Sequence, residues 1–169
     1  MDALEAIMTR RSIRHFTSQP VSEGLLEKIL RGAMAAPSAR NEQSWQFVVI
    51  DDRQLLEAIP RYHQFSEMLH EAPLAIAVCG DVRNKTHEEY WQQNCAAATQ
   101  TLLLTAHALG LGGVWLGIYP KEERVAPTRQ LLKLPAGIIP MCIVALGYPA
   151  EVKEPANRYD PAKVHRNGW

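Results

Sequence analysis

Residues 88–109 constrain this chain more than any other stretch. At helical spacing they read as one long helix, and its last four turns are apolar or small on nearly every face. A helix without a broad polar face has to be covered all round. In a chain of 169 residues, a partner subunit is the expected cover. The most apolar part, Ala96 to Leu109, is broken by Thr99, Gln100, Thr101, Thr105 and His107. It is also shorter than the roughly 20 apolar residues of a membrane span, so no membrane is expected.

The other elements fall on either side of this helix. Leu4, Ile7 and Met8 fit one face of a short opening helix. Ser22 is a good N-cap for a second, with Leu25, Leu26, Ile29, Leu30 and Ala33 at helical spacing and Pro37 closing it. Trp45–Ile50, residues 73–79, residues 113–118 and Ile138–Gly147 read as strands. Residues 51–69 read as one or two short helices around Pro60, and residues 121–132 as a further one. Because helices and strands alternate without strict βαβ order, the expected fold is α+β: a central mixed sheet flanked by helices. One domain over residues 1–169 is expected, with residues 151–169, polar and lacking an apolar face, either disordered or an arm laid over another surface. A terminal Trp169 favours the arm.

Eighteen basic residues balance eighteen acidic ones, which removes the field expected of a nucleic-acid binder. Cys79, Cys95 and Cys142 are odd in number, widely spaced and set among apolar neighbours. They read as buried thiols of a cytoplasmic protein, with neither a disulfide framework nor a metal site. The N-terminus has no signal core. Gly110-Leu111-Gly112-Gly113 is not a dinucleotide loop, since Trp115 stands where the third glycine belongs and the run follows a helix. Walker, HExxH and GxSxG motifs are absent, and the six scattered histidines form no triad.

Four segments carry possible chemistry. In Arg10-Arg11-Ser12-Ile13-Arg14, extended backbone puts Arg10, Ser12 and Arg14 on one side and Arg11 and Ile13 on the other. Two guanidiniums around a hydroxyl suit a phosphate and its sugar; equally, these are cations at a helix C-terminus. His15 beside them reads as a structural or ribose-contacting residue. Pro37-Ser38-Ala39, with Asn41 and Gln43, offers hydroxyl and amide groups on a loop, which is either a ligand loop or a polar turn. Trp115 and Leu116, ahead of Gly117, form a strand whose glycines admit a flat ligand. Arg158 is a cation on the terminal segment, fit to return to an anion or to stay at the surface.

In this order the segments resemble the flavin-dependent nitroreductase family in its short form. The resemblance rests on Arg10-Arg11-Ser12-Ile13-Arg14, Pro37-Ser38-Ala39-Arg40-Asn41-Glu42-Gln43-Ser44-Trp45, Leu109-Gly110-Leu111-Gly112, Leu146-Gly147-Tyr148-Pro149 and Arg158-Tyr159-Asp160-Pro161, followed by Val164-His165 and Trp169. It spans nearly the whole chain. It implies an intertwined FMN-binding homodimer with flavins in pockets between subunits. Arg10, Ser12 and Arg158 would hold the phosphate, Arg11 the phosphate or ribityl side, and Arg14 the pyrimidine end. Pro37, Ser38 and Ala39 would line the flavin from the other subunit, and Asn41, with Gln43 on the same loop, would bond its pyrimidine edge. Trp115, Leu116 and Gly117 would pack on the ring, with a backbone N–H at Gly117 or Ile118 facing flavin N5. Ser44 departs from the proline usual in the family and would soften its loop.

The reaction so implied is ping-pong transfer of hydride from NADH or NADPH through FMN to a flat aromatic, nitroaromatic or quinone acceptor. No side-chain nucleophile or metal takes part. Arg14 would be the electrostatic stabiliser of the reduced flavin. Three other readings remain at this stage: a flavin-binding or sensing module without turnover, a specialised reaction such as dehalogenation or ring dehydrogenation, and a helical interaction protein whose apolar helix over residues 88–109 merely dimerises. Residues 51–71 carry no obvious lid.

Overall fold

The computed structural model describes residues 1–83 and 88–169. Its helices are α1 (Ala3–Thr9), α2 (Glu23–Met34), α3 (Arg53–Ala58), α4 (Trp91–Ala108) and α5 (Glu122–Leu131). Its strands are β1 (Trp45–Ile50), β2 (Leu74–Asp81), β3 (Gly112–Gly117) and β4 (Ile138–Gly147). The strands lie in the order β1-β2-β4-β3, and each adjacent pair is antiparallel.

The α+β class holds, but the expected mixed sheet is corrected. Helix α4 returns the chain along the sheet, so β2 and β3 run in the same direction. Strand β4 inserts between them and makes both hydrogen-bonded pairs antiparallel. Parallel pairing enters only as an isolated bridge, among the described residues, from Ser12, which lies outside the strands, to Gly113 of β3.

Strands β2 and β4 are buried on both faces, which is why they read as continuous apolar runs. Alternation divides their side chains between two cores. Ile76, Val78, Val144 and Leu146 face α2 and α4. Ala75, Ala77, Ile143 and Ala145 face the layer built from residues 55–69 and 125–134. Each fully buried Ile or Leu contributes about 1.5–3 kcal/mol relative to leaving it exposed.

Ser22 caps α2 as expected, its Oγ accepting from Leu25 N–H at 3.4 Å. The chain itself covers much of α4, more than its composition suggests, through the sheet, α2 and α1. Its threonines bond back to their own helix, Thr99 to Cys95 O at 2.7 Å and Thr105 to Thr101 O at 2.9 Å, and so tolerate enclosure. Gln93, Gln100 and Ala108 stay exposed. On α1 the core residue is Ala6, while Leu4, Ile7 and Met8 face outward at 55–69% exposure. The stripe read from sequence is therefore real but has no cover within one chain.

Glycine serves two purposes at the end of α4. Gly110 has φ +82° and stops the helix, with Leu111 N–H returning to Ala106 O at 2.9 Å. At Gly112 a β-carbon would lie 2.7 Å from Ile13 Cβ. The missing side chain lets residues 12–14 lie against the sheet.

Residues 151–169 are mostly exposed, with one short turn at Pro161–Lys163. Trp169 stacks on His165, 4.3 Å between ring centroids, and is otherwise fully exposed.

Candidate functional site

The segment after α1 is extended from Arg10 and is fixed by Ile13 N–H donating to Gly113 O at 3.1 Å. Ile13 is buried. The side chains divide as alternation requires. Arg14 lines a cavity of about 460 Å³, whereas Arg11 and Ile13 line a separate one of about 280 Å³.

The root of the arm clasps this segment. Glu151 Oε1 accepts from Arg14 N–H at 2.5 Å, and that bond is the main reason its carboxyl sits below the usual range. Lys153 Nζ donates to Ser12 O and pairs with Glu151, both at 3.0 Å. Arg11 Nη1 donates to Glu154 O.

Arg10 is half-buried, and its pKa is lowered first by that burial and then by the Arg158 and Arg11 cations. No carboxylate pairs with Arg10 or Arg158 among the described residues. Like charges gathered without a counterion are unfavourable in a free protein and favourable around a bound anion.

The larger cavity is walled by Arg14, Val114, Trp115, Leu116 and Gly117 on one side and by His63, Gln64, Phe65, Glu67, Met68 and Arg124 on the other. Trp115 and Phe65 are the exposed flat faces, at 37% and 62%. Gly117 O accepts from His63 Nε2 at 3.0 Å and from Arg124 Nη1 at 2.9 Å. The Arg124 guanidinium also sits over the Phe65 ring, 5.7 Å from its centroid. Ile118 N–H is committed to Met141 O at 3.0 Å. Strand alternation turns Gly117 N–H to the opposite side, that of its own carbonyl. Of the two N–H groups expected at the flavin, Ile118 is therefore excluded.

A carbonyl only accepts, so His63 Nε2 carries the proton and Nδ1 takes Phe65 N–H, at 3.3 Å. His63 is buried, and burial is the main cause lowering its pKa, with Arg124 adding to it. Its folded pKa thus lies below the unfolded value of about 6.5. As pH falls, the unfolded chain takes up the proton first. The contribution to stability is full above about pH 6.5 and is lost as pH falls through the folded pKa. Thermal melts should therefore show the melting temperature dropping from pH 7.5 to 5. His63→Gln, which keeps an N–H donor toward Gly117 O, should flatten part of that drop. His107, also depressed by burial and by Arg10, has the same sign, so the difference between parent and variant is diagnostic. Superimposable pH profiles would remove this role from His63.

Pro37, Ser38, Ala39, Asn41 and Gln43 lie elsewhere in the chain. They precede β1, at the edge of the sheet farthest from β3 and Ser12, and do not reach Arg10 or Arg14. The loop is rigid in its own right. Arg40, Asn41 and Gln43 have φ of +50°, +58° and +51°. Gln43 N–H donates to Ser38 Oγ at 3.0 Å, and its side chain to Asn41 Oδ1 at 2.9 Å. Ala39 N–H donates to Asn94 Oδ1, 2.9 Å, and Asn94 Nδ2 to Ser44 Oγ, 3.0 Å. Ser44, expected to soften this loop, anchors it.

Sequence reasoning missed His63, Gln64, Phe65, Met68 and Arg124, which form half of the cavity wall. His15, read as structural or ribose-contacting, has its Nδ1 3.2 Å from Glu71 Oε2 at the surface. Cys79, Cys95 and Cys142 are free and buried, with Cys79 and Cys142 each pushed up to about 12 by burial. None is a ready nucleophile.

The residues present fit FMN. An uncompensated cationic cluster suits a phosphate monoester, and the flat-walled cavity is within the size range of cofactor sites, roughly 300–1,000 Å³.

Comparison with known proteins agrees. The model of the Nitroreductase family matches residues 7–67 and 60–148. A protein of Methanothermobacter thermautotrophicus with the provisional name NADH dehydrogenase/NAD(P)H nitroreductase is 46% identical over 100% of this chain and 88% of its own. A crystal structure from Parabacteroides distasonis, provisionally named in the same way, has a TM-score of 0.94 at 38% identity, covering 99% of this chain and 98% of the other. An FMN-dependent nitroreductase of Clostridium difficile R20291 has a TM-score of 0.91 at 30% identity, covering 98% and 99%. The chain belongs to the nitroreductase family, whose members are FMN-dependent oxidoreductases that take electrons from NAD(P)H.

Proposed function

We propose that this chain forms a single domain, residues 1–169, with 151–169 as its arm, and acts as an FMN-dependent NAD(P)H oxidoreductase in a homodimer with composite sites. Its acceptors are small flat molecules, nitroaromatics or quinones. The observation that carries this is the gathering of Arg11 and Arg158 around Arg10, without a paired carboxylate among the described residues, at the start of the segment whose Arg14 lines the cavity walled by Trp115, Leu116 and Phe65.

When bound, FMN supplies two-electron chemistry between the nicotinamide donor and the acceptor. Arg10, Ser12 and Arg158 hold the phosphate by charge-assisted hydrogen bonds. Arg14 sets a positive charge at one wall of the cavity, where negative charge gathers on reduction. Gly117 N–H is the backbone donor on that side. Because His63 and Arg124 already occupy Gly117 O, no free carbonyl there opposes that charge.

Three features of the single chain support a second copy. The Pro37–Gln43 loop lies across the sheet from Arg10. The α1 face of Leu4, Ile7 and Met8 is uncovered, and Tyr159, Val164 and Trp169 project from the arm. No helix of the described residues is long and apolar enough to cross a membrane. Buried free thiols fit a reducing compartment, in keeping with a cytoplasmic enzyme.

A mixed dimer tests the composite site. Arg10→Ala and Asn41→Ala, each alone, damage both sites of a homodimer. Joined as a heterodimer isolated with two tags, they leave one site intact. The expected result is about one tightly held flavin per heterodimer, against weak retention in either parent, read from absorbance. A heterodimer holding no more flavin than its parents would contradict the two-chain site.

A further inference from the structure

Beside the flavin cavity lies a second one of about 350 Å³, lined by Pro60, Arg61, Tyr62, Gln64, Lys121, Glu123 and Arg124. Gln64 and Arg124 line both, so the two are neighbours across those side chains. Their character differs. The first has flat apolar walls, whereas the second gathers three cations against one carboxylate.

The cations are largely uncommitted. Lys121 and Glu123 approach only to 3.8 Å, with both side chains more than half exposed, a geometry worth little in water. Arg61 is exposed and has no ion pair among the described residues. Glu57, Glu67 and His70 line the cavity on its other flank, but none pairs with it. Arg124 is anchored through Nη1 to Gly117 O, which leaves its other guanidinium nitrogens available.

We infer that this polar annex binds the phosphate groups of the reduced pyridine nucleotide, with Arg61 and Lys121 as its main contacts and Arg124 joining it to the flavin cavity. This rests on the oxidoreductase reading above. NADH and NADPH share the pyrophosphate, so the annex serves both; the additional 2′-phosphate of NADPH makes its dependence steeper. Arg61 and Lys121 lie on separate segments, after α3 and before α5, and meet only in the fold. That is why no nucleotide motif marks them.

The test compares donors on the FMN-loaded dimer. Parent and Arg61→Ala/Lys121→Ala are assayed with NADPH, NADH and 1-benzyl-1,4-dihydronicotinamide, which carries no phosphate. The expected result is a fall of about tenfold in kcat/KM for NADPH relative to the benzyl donor, as two charge-assisted contacts are removed. NADH should fall less, and the effect should shrink as ionic strength rises. The FMN content of the purified variant should equal the parent's. An unchanged ratio, or equal losses with all three donors, would overturn the annex as a phosphate site. Loss of bound FMN would overturn it too, by assigning these cations to the cofactor. A parent enzyme that no dihydronicotinamide reduces would instead overturn the oxidoreductase reading, and the annex with it.

Discussion

Arg10→Ala should purify as a folded protein that has lost most of its flavin, without losing stability in the flavin-free state. Arg10 is half-buried, with Arg158 and Arg11 lowering its pKa further, and no carboxylate compensates among the described residues. Removing one of three like charges relieves repulsion in the free protein. In the loaded protein it deletes hydrogen bonds to a phosphate, each worth about 1.5–3 kcal/mol. Affinity for FMN should therefore fall roughly 10- to 100-fold, while the melting temperature of the flavin-free protein stays level or rises. Titration of the apoprotein with FMN, followed by flavin fluorescence, measures the first; thermal melts of the same samples measure the second. Opposite signs for binding and stability mark a residue kept for its ligand. If both fell together, Arg10 would be a structural residue and the phosphate site would lie elsewhere.

Gly112→Ala should damage fold and site together. The added carbon would lie 2.7–2.8 Å from Cβ, Cγ1 and Cγ2 of Ile13. Ile13 is β-branched, buried and held by its N–H to Gly113 O, so it cannot swing aside as a flexible chain would. Overpacking of this kind costs about 1–3 kcal/mol. The strain falls on the stretch that carries Ser12 and Arg14, so FMN affinity should drop as well. Gly24→Ala is the control, because a β-carbon there meets nothing within 4 Å; in the first turn of α2 it should be neutral or slightly stabilising. Urea unfolding of the two variants separates the outcomes. Equal stability for Gly112→Ala and the parent would mean that residues 12–14 are not seated on the sheet as described.

Local chemistry made much of the fold legible. β1 and β4 begin and end where their sequence runs begin and end, and Ser22 caps α2 at the residue its type suggests. What failed to show in the sequence depends on long-range arrangement. The antiparallel sheet follows from β4 entering between β2 and β3, and no local pattern encodes that choice. The covering of α4 was only half legible, because threonine hydroxyls bonded to their own helix look polar in sequence and behave as buried groups in the fold. The site divides in the same way. The alternation of Arg11 and Arg14 to opposite sides was readable from the extended backbone they share. His63 and Arg124 were not, since they meet on one carbonyl oxygen from segments that share no motif. Between Gly117 and Ile118 the choice of donor needed the β3–β4 register, which the residues alone do not give.

The most direct measurement is the visible spectrum of the purified protein under anaerobic conditions, before and after NADPH or NADH and then a quinone. The expected result is a yellow protein whose flavin band bleaches with the nicotinamide donor and returns with the quinone. A protein that stays colourless after incubation with FMN, or a flavin band that neither donor bleaches, would contradict it.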